Sequence, residues 1–281
     1  VDRIILRQET IRSKYDLVKT LREGHYDLFI SLPRSQEALM LAGLSGAGIK
    51  AGFAHFPWDI ALDVKEVIQG HNSWHNNANL LRKLGIPVTQ DNYLGLLHVE
   101  DHEPVNGLPE RYIVISPGAS RRRLVKAWDE EKFAELIVKI HDRFGLPSVL
   151  VGGQDTKECT AVITAQMNDS RKGNDGQVMD LAAKIGLREL YGVLKGADLF
   201  VGIDSGVMHM ASAMNIPVVA LFGPTDEFYV GPQNEKSIVV RQSPECAPCY
   251  LREPCEYRKC MAELDIETVF EACEKILGLR R

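Results

Sequence analysis

Two parallel α/β domains are what this chain of 281 residues predicts, and three features carry that reading. First, short apolar runs of strand length alternate with helix-length segments, as in YDLFISL (26–32), YIVIS (112–116), SVLV (148–151), LFVGI (199–203) and VVALF (218–222). Second, these runs end in turns rich in Gly, Ser, Asp or Thr, such as Gly152-Gly153-Gln154-Asp155, Asp204-Ser205-Gly206 and Gly223-Pro224-Thr225. In parallel sheets, ligands sit outside the carboxyl ends of the strands, where such turns fall. Third, the polar stretch DHEPVNGLP (101–109) interrupts the pattern as a linker, giving domains at 1–108 and 109–281.

In the first domain, Val1–Leu6 reads as a short strand. Ser13–Glu23 reads as a helix with Tyr15, Leu17, Val18 and Leu21 as its apolar positions. The strand at 26–32 leads into Pro33-Arg34-Ser35 and a helix over Glu37–Leu44. Arg34 has two equal readings, facing a cleft or solvated. Ala47–Phe53 is a short strand behind a Gly-rich turn. The glycines at 46, 48 and 52 do not form a dinucleotide loop, because no strand feeds them and no helix opens from them; this disfavours an oxidoreductase. A helix from His75 ends at Gly85, with Pro87 beyond it. His71 and His75 stand four apart, but no third metal ligand lies near them in sequence.

The second domain opens with the strand Tyr112–Ser116 and the turn Pro117-Gly118-Ala119-Ser120. Arg121-Arg122-Arg123 and Lys126-Ala127-Trp128 follow. Asp129 is placed to cap a helix carrying Phe133, Ile137 and Ile140. Next come a strand over Ser148–Val151, a helix over Thr160–Met167, a polar loop, a short strand near Asp180–Ala183 and a helix over Leu187–Gly196. After Leu199–Ile203, Ser205 and Gly206 open a helix over Val207–Met214, which Asn215 and Pro217 stop before the strand Val218–Phe222. Ile266–Leu277 forms a terminal helix.

Free N–H groups and the dipole at that helix start favour phosphate, and Gly206 permits close approach. His209 lies one turn in, on the same side. The plainer alternative makes Ser205 an N-cap only and His209 a packed histidine. An Asp, a Ser and a Gly at one strand end, beside a second Gly-Pro-Thr turn, favour the anion site.

The composition, 45% hydrophobic and 25% charged, is that of an ordinary globular protein. A net charge of -5 argues against a nucleic-acid partner. No apolar run reaches the roughly 18 residues of a membrane span, and a cytoplasmic protein is expected. Of six cysteines, Cys159 and Cys273 read as buried thiols. Cys246-x2-Cys249-x5-Cys255-x4-Cys260 reads as a structural metal site, as free thiols or as a local disulfide. The absence of a second CxxC weakens the zinc alternative.

Asp204-Ser205-Gly206 with His209, then Phe222-Gly223-Pro224-Thr225-Asp226 and Gly231-Pro232, resemble the donor-binding signature of the family 9 glycosyltransferases. These are the ADP-heptose:lipopolysaccharide heptosyltransferases. The resemblance implies a GT-B fold, with two Rossmann-like α/β domains facing across a cleft. It implies inverting, metal-independent transfer of a heptose from ADP-L-glycero-D-manno-heptose to the inner core of lipopolysaccharide, with no cofactor. It further implies a cytoplasmic site of action with peripheral contact at the inner face of the inner membrane, where Arg121–Arg123 would meet acidic lipid or acceptor phosphates.

By the same resemblance, Ser116, Gly118, Ala119, Ser120, Ser205, Gly206, His209 and Thr225 serve the donor phosphates. Lys126, followed closely by Trp128, stabilises the leaving diphosphate. Asp155 faces the ribose, or else caps a helix; Ile185 walls the adenine; Asp204 meets sugar hydroxyls. Family members begin with a strand and a Gly-Asp loop whose Asp is the general base. No Asp here matches it, so the first domain is expected to be incomplete by about two strand-helix units, on the order of 60 residues. The alternatives are a nucleotide-sugar-binding protein without turnover, and a transferase using another nucleotide-sugar donor.

Overall fold

The computed structural model describes residues 3–5, 10–70, 72–100, 104–118, 121–169, 177–250, 255 and 257–279, the side chains of 121–123 excepted. The chain divides into two compact units, residues 1–92 and 93–281. The division falls ahead of the stretch at 101–109. Tyr93 donates its backbone N–H to Gln233 Oε1 at 3.1 Å, and Gly95 donates to the Ala213 carbonyl at 2.8 Å. These bonds join the segment after Asn92 to the second unit.

The first unit contains α1 (Ile11–Glu23), β1 (Leu28–Ser31), α2 (Gln36–Leu44), β2 (Ile49–Phe53), β3 (Val64–Glu66) and α3 (Ser73–Lys83). The strands form a parallel sheet in the order β1-β2-β3. Residues 3–5 hold no strand, so the strand expected at Val1–Leu6 is absent there; the rest of that segment lies outside the described residues. Each helix starts on a polar cap. Thr10 Oγ1 accepts from Ser13 N at 3.2 Å, Ser35 Oγ from Ala38 N at 3.2 Å, and Asn72 Oδ1 from His75 N at 2.8 Å. Asn72 therefore starts α3 two residues ahead of His75. Gly85, at φ +77°, ends it as expected. The apolar layers are small: Leu39, Ala42 and Leu62 in one, Ala51, Phe53 and Leu80 in the other.

The second unit runs β4 (Ile113–Ser116), α4 (Glu130–Phe144), β5 (Ser148–Leu150), α5 (Lys157–Asp169), β6 (Val178–Asp180), α6 (Leu187–Lys195), β7 (Leu199–Ile203), α7 (Gly206–Ala213), β8 (Val218–Phe222), α8 (Glu227–Val230), β9 (Ile238–Arg241), α9 (Lys259–Ala262) and α10 (Ile266–Gly278). Its six strands are all parallel, in the order β6-β5-β4-β7-β8-β9. Every residue of β4, β7 and β8 is buried, as a sheet covered on both faces requires. One covering layer includes Phe133, Ile137, Ile140, Val269 and Cys273, the other Leu190, Val193, Leu194, Met208 and Ala211.

Asp129 is a correction. It stands at the N-cap of α4 but makes no capping hydrogen bond. Its carboxylate instead faces Arg258 at 3.4 Å and Lys132 at 3.7 Å. Two cations nearby draw the oxygens away from the helix N–H groups.

Candidate functional site

The strand order of the second unit reverses between β4 and β7, and a crevice is expected at such a point. A cleft of about 400 Å³ is found there. Ser116 and Gly118 wall it after β4, Gly152, Gly153, Asp155 and Thr156 after β5, and Asp204, Ser205 and Gly206 after β7. Lys126, at the end of a 3₁₀ turn over Arg121–Lys126, and Leu187, Leu190, Val207 and Met210 complete the wall. Four separate segments thus deliver polar groups to one sheet edge. Gly118 is needed by packing, since a Cβ there would lie 2.3 Å from Thr156 Oγ1. Gly206 differs: a Cβ there would meet nothing within 4 Å, so the α7 backbone faces open space.

A buried charge pair organises the wall. Lys126 Nζ lies 2.5 Å from Asp204 Oδ2, with side-chain exposures of 6% and 9%. Thr225 Oγ1 donates to the same Asp204 oxygen at 2.8 Å. An ammonium and a carboxylate this far from water persist only when paired and hydrogen-bonded. Asp204 therefore works as the anchor that holds Lys126 at the cleft, with Thr225 fixing the anchor from the neighbouring turn. Ser205 caps α7, its Oγ accepting from Met208 N at 3.4 Å, and the N–H of Gly206 precedes that bonded donor.

His209 stands behind the anchor, its Nε2 3.9 Å from Asp204 Oδ1. Burial holds its pKa below the ordinary value; Asp204 opposes the shift, and Lys126 adds to it. The ring is oriented from its other side. The Tyr93 hydroxyl lies 3.4 Å from Nδ1 and donates to Ser212 Oγ at 3.3 Å, with the two rings edge-on at 6.2 Å.

The expected residues divide into three groups. Ser116, Gly118, Lys126, Asp155, Asp204, Ser205 and Gly206 come together as cleft wall. His209 and Thr225 reach the wall through Asp204. Ile185 packs into the apolar layer that holds Leu190 and Met208. Ala119 and Ser120 lie outside the described residues, as does His71. Arg34 is exposed. Among the described residues, no group of three or more His, Cys, Asp or Glu side chains could hold a metal ion. Thr156 and Tyr93 were not singled out from the sequence. Thr156 directly follows the Gly152-Gly153-Gln154-Asp155 turn, a usable signal. Tyr93 lies 116 positions from His209, and nothing local marks it.

The model of the family described as "Glycosyltransferase family 9 (heptosyltransferase)" matches residues 14–260. The chain is 30% identical over 245 residues to lipopolysaccharide heptosyltransferase 3 of Escherichia coli, covering 82% of this chain and 69% of the relative. The same-named protein of Escherichia coli strain K12 is 28% identical over 96% of this chain and 79% of its own length. Among solved structures, a family 9 glycosyl transferase of Veillonella parvula DSM 2008 superposes with a TM-score of 0.73 at 23% identity, over 98% of this chain and 82% of that one. Escherichia coli ADP-heptose lps heptosyltransferase II gives a TM-score of 0.69 at 20% identity, over 96% and 82%. Two α/β units, each on a parallel sheet, agree with the expected GT-B class of fold. With the family model spanning nearly the whole chain and the strand-end signature gathered round one cleft, this chain belongs to glycosyltransferase family 9, the heptosyltransferases.

Proposed function

We propose that the chain transfers a heptosyl group from ADP-heptose to the inner core of lipopolysaccharide, with inversion and without a catalytic metal. An acceptor hydroxyl attacks the anomeric carbon as the bond from that carbon to the diphosphate oxygen breaks, and negative charge collects on the departing ADP. The observation that carries this reading is the buried Lys126–Asp204–Thr225 group beside the open N-terminus of α7. It sets a fixed ammonium and free N–H groups at one edge before the diphosphate arrives, so little reorganisation accompanies the charge. Ser116 and Gly118 supply the facing wall, and Asp155 is the carboxylate available to ribose hydroxyls. Thr225 serves the phosphate site through Asp204, and Ile185 takes part on the adenine side from within the apolar layer that holds Leu190; Ala119 and Ser120, expected to serve the phosphates, lie outside the described residues.

ADP is favoured as the donor nucleotide by the relatives. An Escherichia coli heptosyltransferase of the same fold has been solved with ADP-2-deoxy-2-fluoro heptose, with a TM-score of 0.64 at 21% identity. The acceptor is favoured by the names of the lipopolysaccharide heptosyltransferases that this chain matches. No helix among the described residues is long and apolar enough to cross a membrane. Peripheral contact with the inner membrane is the reading that brings the site to a lipid-linked acceptor.

Calorimetric titration with ADP, UDP and GDP tests the donor, and heptose transfer from ADP-heptose to a heptose-deficient core acceptor tests the reaction. Selective ADP binding with core-dependent ADP release is expected. Equal binding of all three nucleotides would sink the ADP assignment, and ADP release independent of acceptor would sink the transfer.

A further inference from the structure

The turns after β4 and β5 close on one threonine. A Cβ on Gly118 would lie 2.3 Å from Thr156 Oγ1, and one on Gly152 would lie 2.5 Å from the same atom. Both turns are thus glycine where this side chain wedges between them. Thr156 is 4% exposed, and it lines the cleft. Its backbone is fixed on both sides. The N–H donates to the Gly153 carbonyl at 3.0 Å, and the carbonyl accepts from Thr160 N at 3.0 Å. Among the described residues its hydroxyl has no hydrogen-bond partner. That oxygen is not sealed in the interior either, and the open space beside it is the cleft.

Thr156 stands immediately before α5, where a capping residue stands. Thr10, Ser35, Asn72, Ser205 and Asp265 hold that place in other helices, and each accepts an N–H of the first helical turn. Thr156 does not, so α5 starts at the cleft with its cap hydroxyl uncommitted. A valine would fill the same wedge without burying a hydroxyl, and a buried hydroxyl with no partner costs free energy. A threonine here points to a partner that arrives from outside. The helices α5 and α7 reach the cleft from opposite faces of the sheet. Ile163 and Met167 of α5 pack in the layer of Phe133, and Met208 and Ala211 of α7 in the layer of Leu190. Their parent strands β5 and β7 flank β4. A diphosphate at the end of β4 therefore meets one helix start on each side.

We propose that Thr156 is a donor-binding residue, whose hydroxyl at the start of α5 donates a hydrogen bond to an oxygen of the phosphate next to the nucleoside. Two placements single out that phosphate. Thr156 follows Asp155 in the chain, the carboxylate available to the ribose, and it packs on Gly118. Lys126 is held on the other side of β4, by Asp204 after β7 and Thr225 after β8, and takes the terminal phosphate. A hydroxyl donating to an anionic oxygen makes a stronger bond than one to a neutral group. The assignment rests on the donor site proposed above and adds to it a contact from the α5 side.

The test titrates wild type, Thr156→Val and Thr156→Ser with ADP, AMP and adenosine. Thr156→Val should weaken ADP and AMP alike, by about tenfold, and leave adenosine unchanged. Thr156→Ser keeps the hydroxyl and should bind both nucleotides nearly as wild type does. Crystals of wild type with ADP answer without a variant, so a misfolded one does not obscure the result. Thr156 Oγ1 should lie about 2.8 Å from an oxygen of the phosphate next to the ribose. A hydroxyl out of reach of every phosphate oxygen would overturn the assignment, as would Thr156→Val binding like wild type. Weakening that falls equally on adenosine would make the residue packing only, and a loss confined to ADP would put the hydroxyl on the wrong phosphate. Wild type that binds UDP but not ADP would sink the adenine donor, while Thr156→Val weakening UDP and UMP alike would still support the contact. Wild type that binds no nucleotide would overturn both.

Discussion

The turn after β1 and the turn after β7 are built alike and do different things. Each follows a parallel strand, and each ends in a serine that caps the next helix: Ser35 for the 9-residue α2, Ser205 for the 8-residue α7. Before Ser35 stands Arg34, exposed, its carbonyl 2.6 Å from His55 Nδ1. Before Ser205 stands Asp204, its side chain only 9% exposed, holding Lys126 and Thr225. A strand leading to a capped helix is therefore scaffold that the chain uses more than once. The site comes from the charge buried beside it and from the three further segments that close round it. A helix N-terminus attracts anions everywhere, but only the second turn adds a fixed cation.

The hardest test of that contrast is Lys126→Met. Asp204 would keep only the Thr225 hydrogen bond and the more distant His209, at a cost to stability of about 3 kcal/mol, read by urea unfolding. Heptosyl transfer should fall by about a hundredfold or more. Adding Asp204→Asn should restore most of the stability and none of the transfer. A double variant that transfers like wild type would leave the ammonium a structural role only.

A medium effect is expected from pH. His209 has a pKa below its ordinary 6.5 because it is buried. The unfolded chain therefore takes up its proton first as pH falls, and the contribution of neutral His209 to stability, complete above about pH 6.5, is lost as pH drops through the folded value. A diphosphate near Nε2 would favour the protonated ring, so ADP affinity should hold up better in acid for wild type than for His209→Gln. Identical affinity profiles would place His209 outside the phosphate site. In Tyr93→Phe the difference should shrink, since the hydroxyl orients the ring.

The smallest effect separates the two caps. Ser35→Ala and Ser205→Ala should each lower stability by about 1 kcal/mol. Only Ser205→Ala should weaken ADP binding, by a few fold. Equal weakening by both would erase the distinction between the turns.

Legibility from sequence followed burial and distance along the chain. β4, β7 and β8 are buried at every position, so each reads as an unbroken apolar run. β3, Val64-Lys65-Glu66, carries two charges in three residues and exists through its pairing with β2; β9 likewise pairs along β8 and includes Arg241. β3 has no pattern of its own to find, whereas β9 does carry a strand signal in the β-branched run Ile238-Val239-Val240. The wall residues at strand ends were legible because turn chemistry is local. The Lys126–Asp204 bond spans 78 positions, and the Tyr93–His209 contact spans 116. The family resemblance assigned Asp204 to sugar hydroxyls; in the structure its carboxylate is the partner of Lys126 and Thr225. Asp129 misled for a related reason: of the two cations that claim it, Lys132 is close in the chain but Arg258 lies 129 positions away.

Trp128 lies two residues beyond Lys126, and 1% of it is exposed. Its indole N–H donates to the Leu264 carbonyl at 2.9 Å, and its ring meets Phe133 edge-on at 4.8 Å. The other two tryptophans, Trp58 and Trp74, belong to the first unit. The protein thus carries a spectroscopic label for the second unit alone, shielded from water and close to the proposed donor charge. Its emission should lie to the blue of the other two. Iodide should quench it least, so nucleotide occupancy can be followed by light without adding a dye.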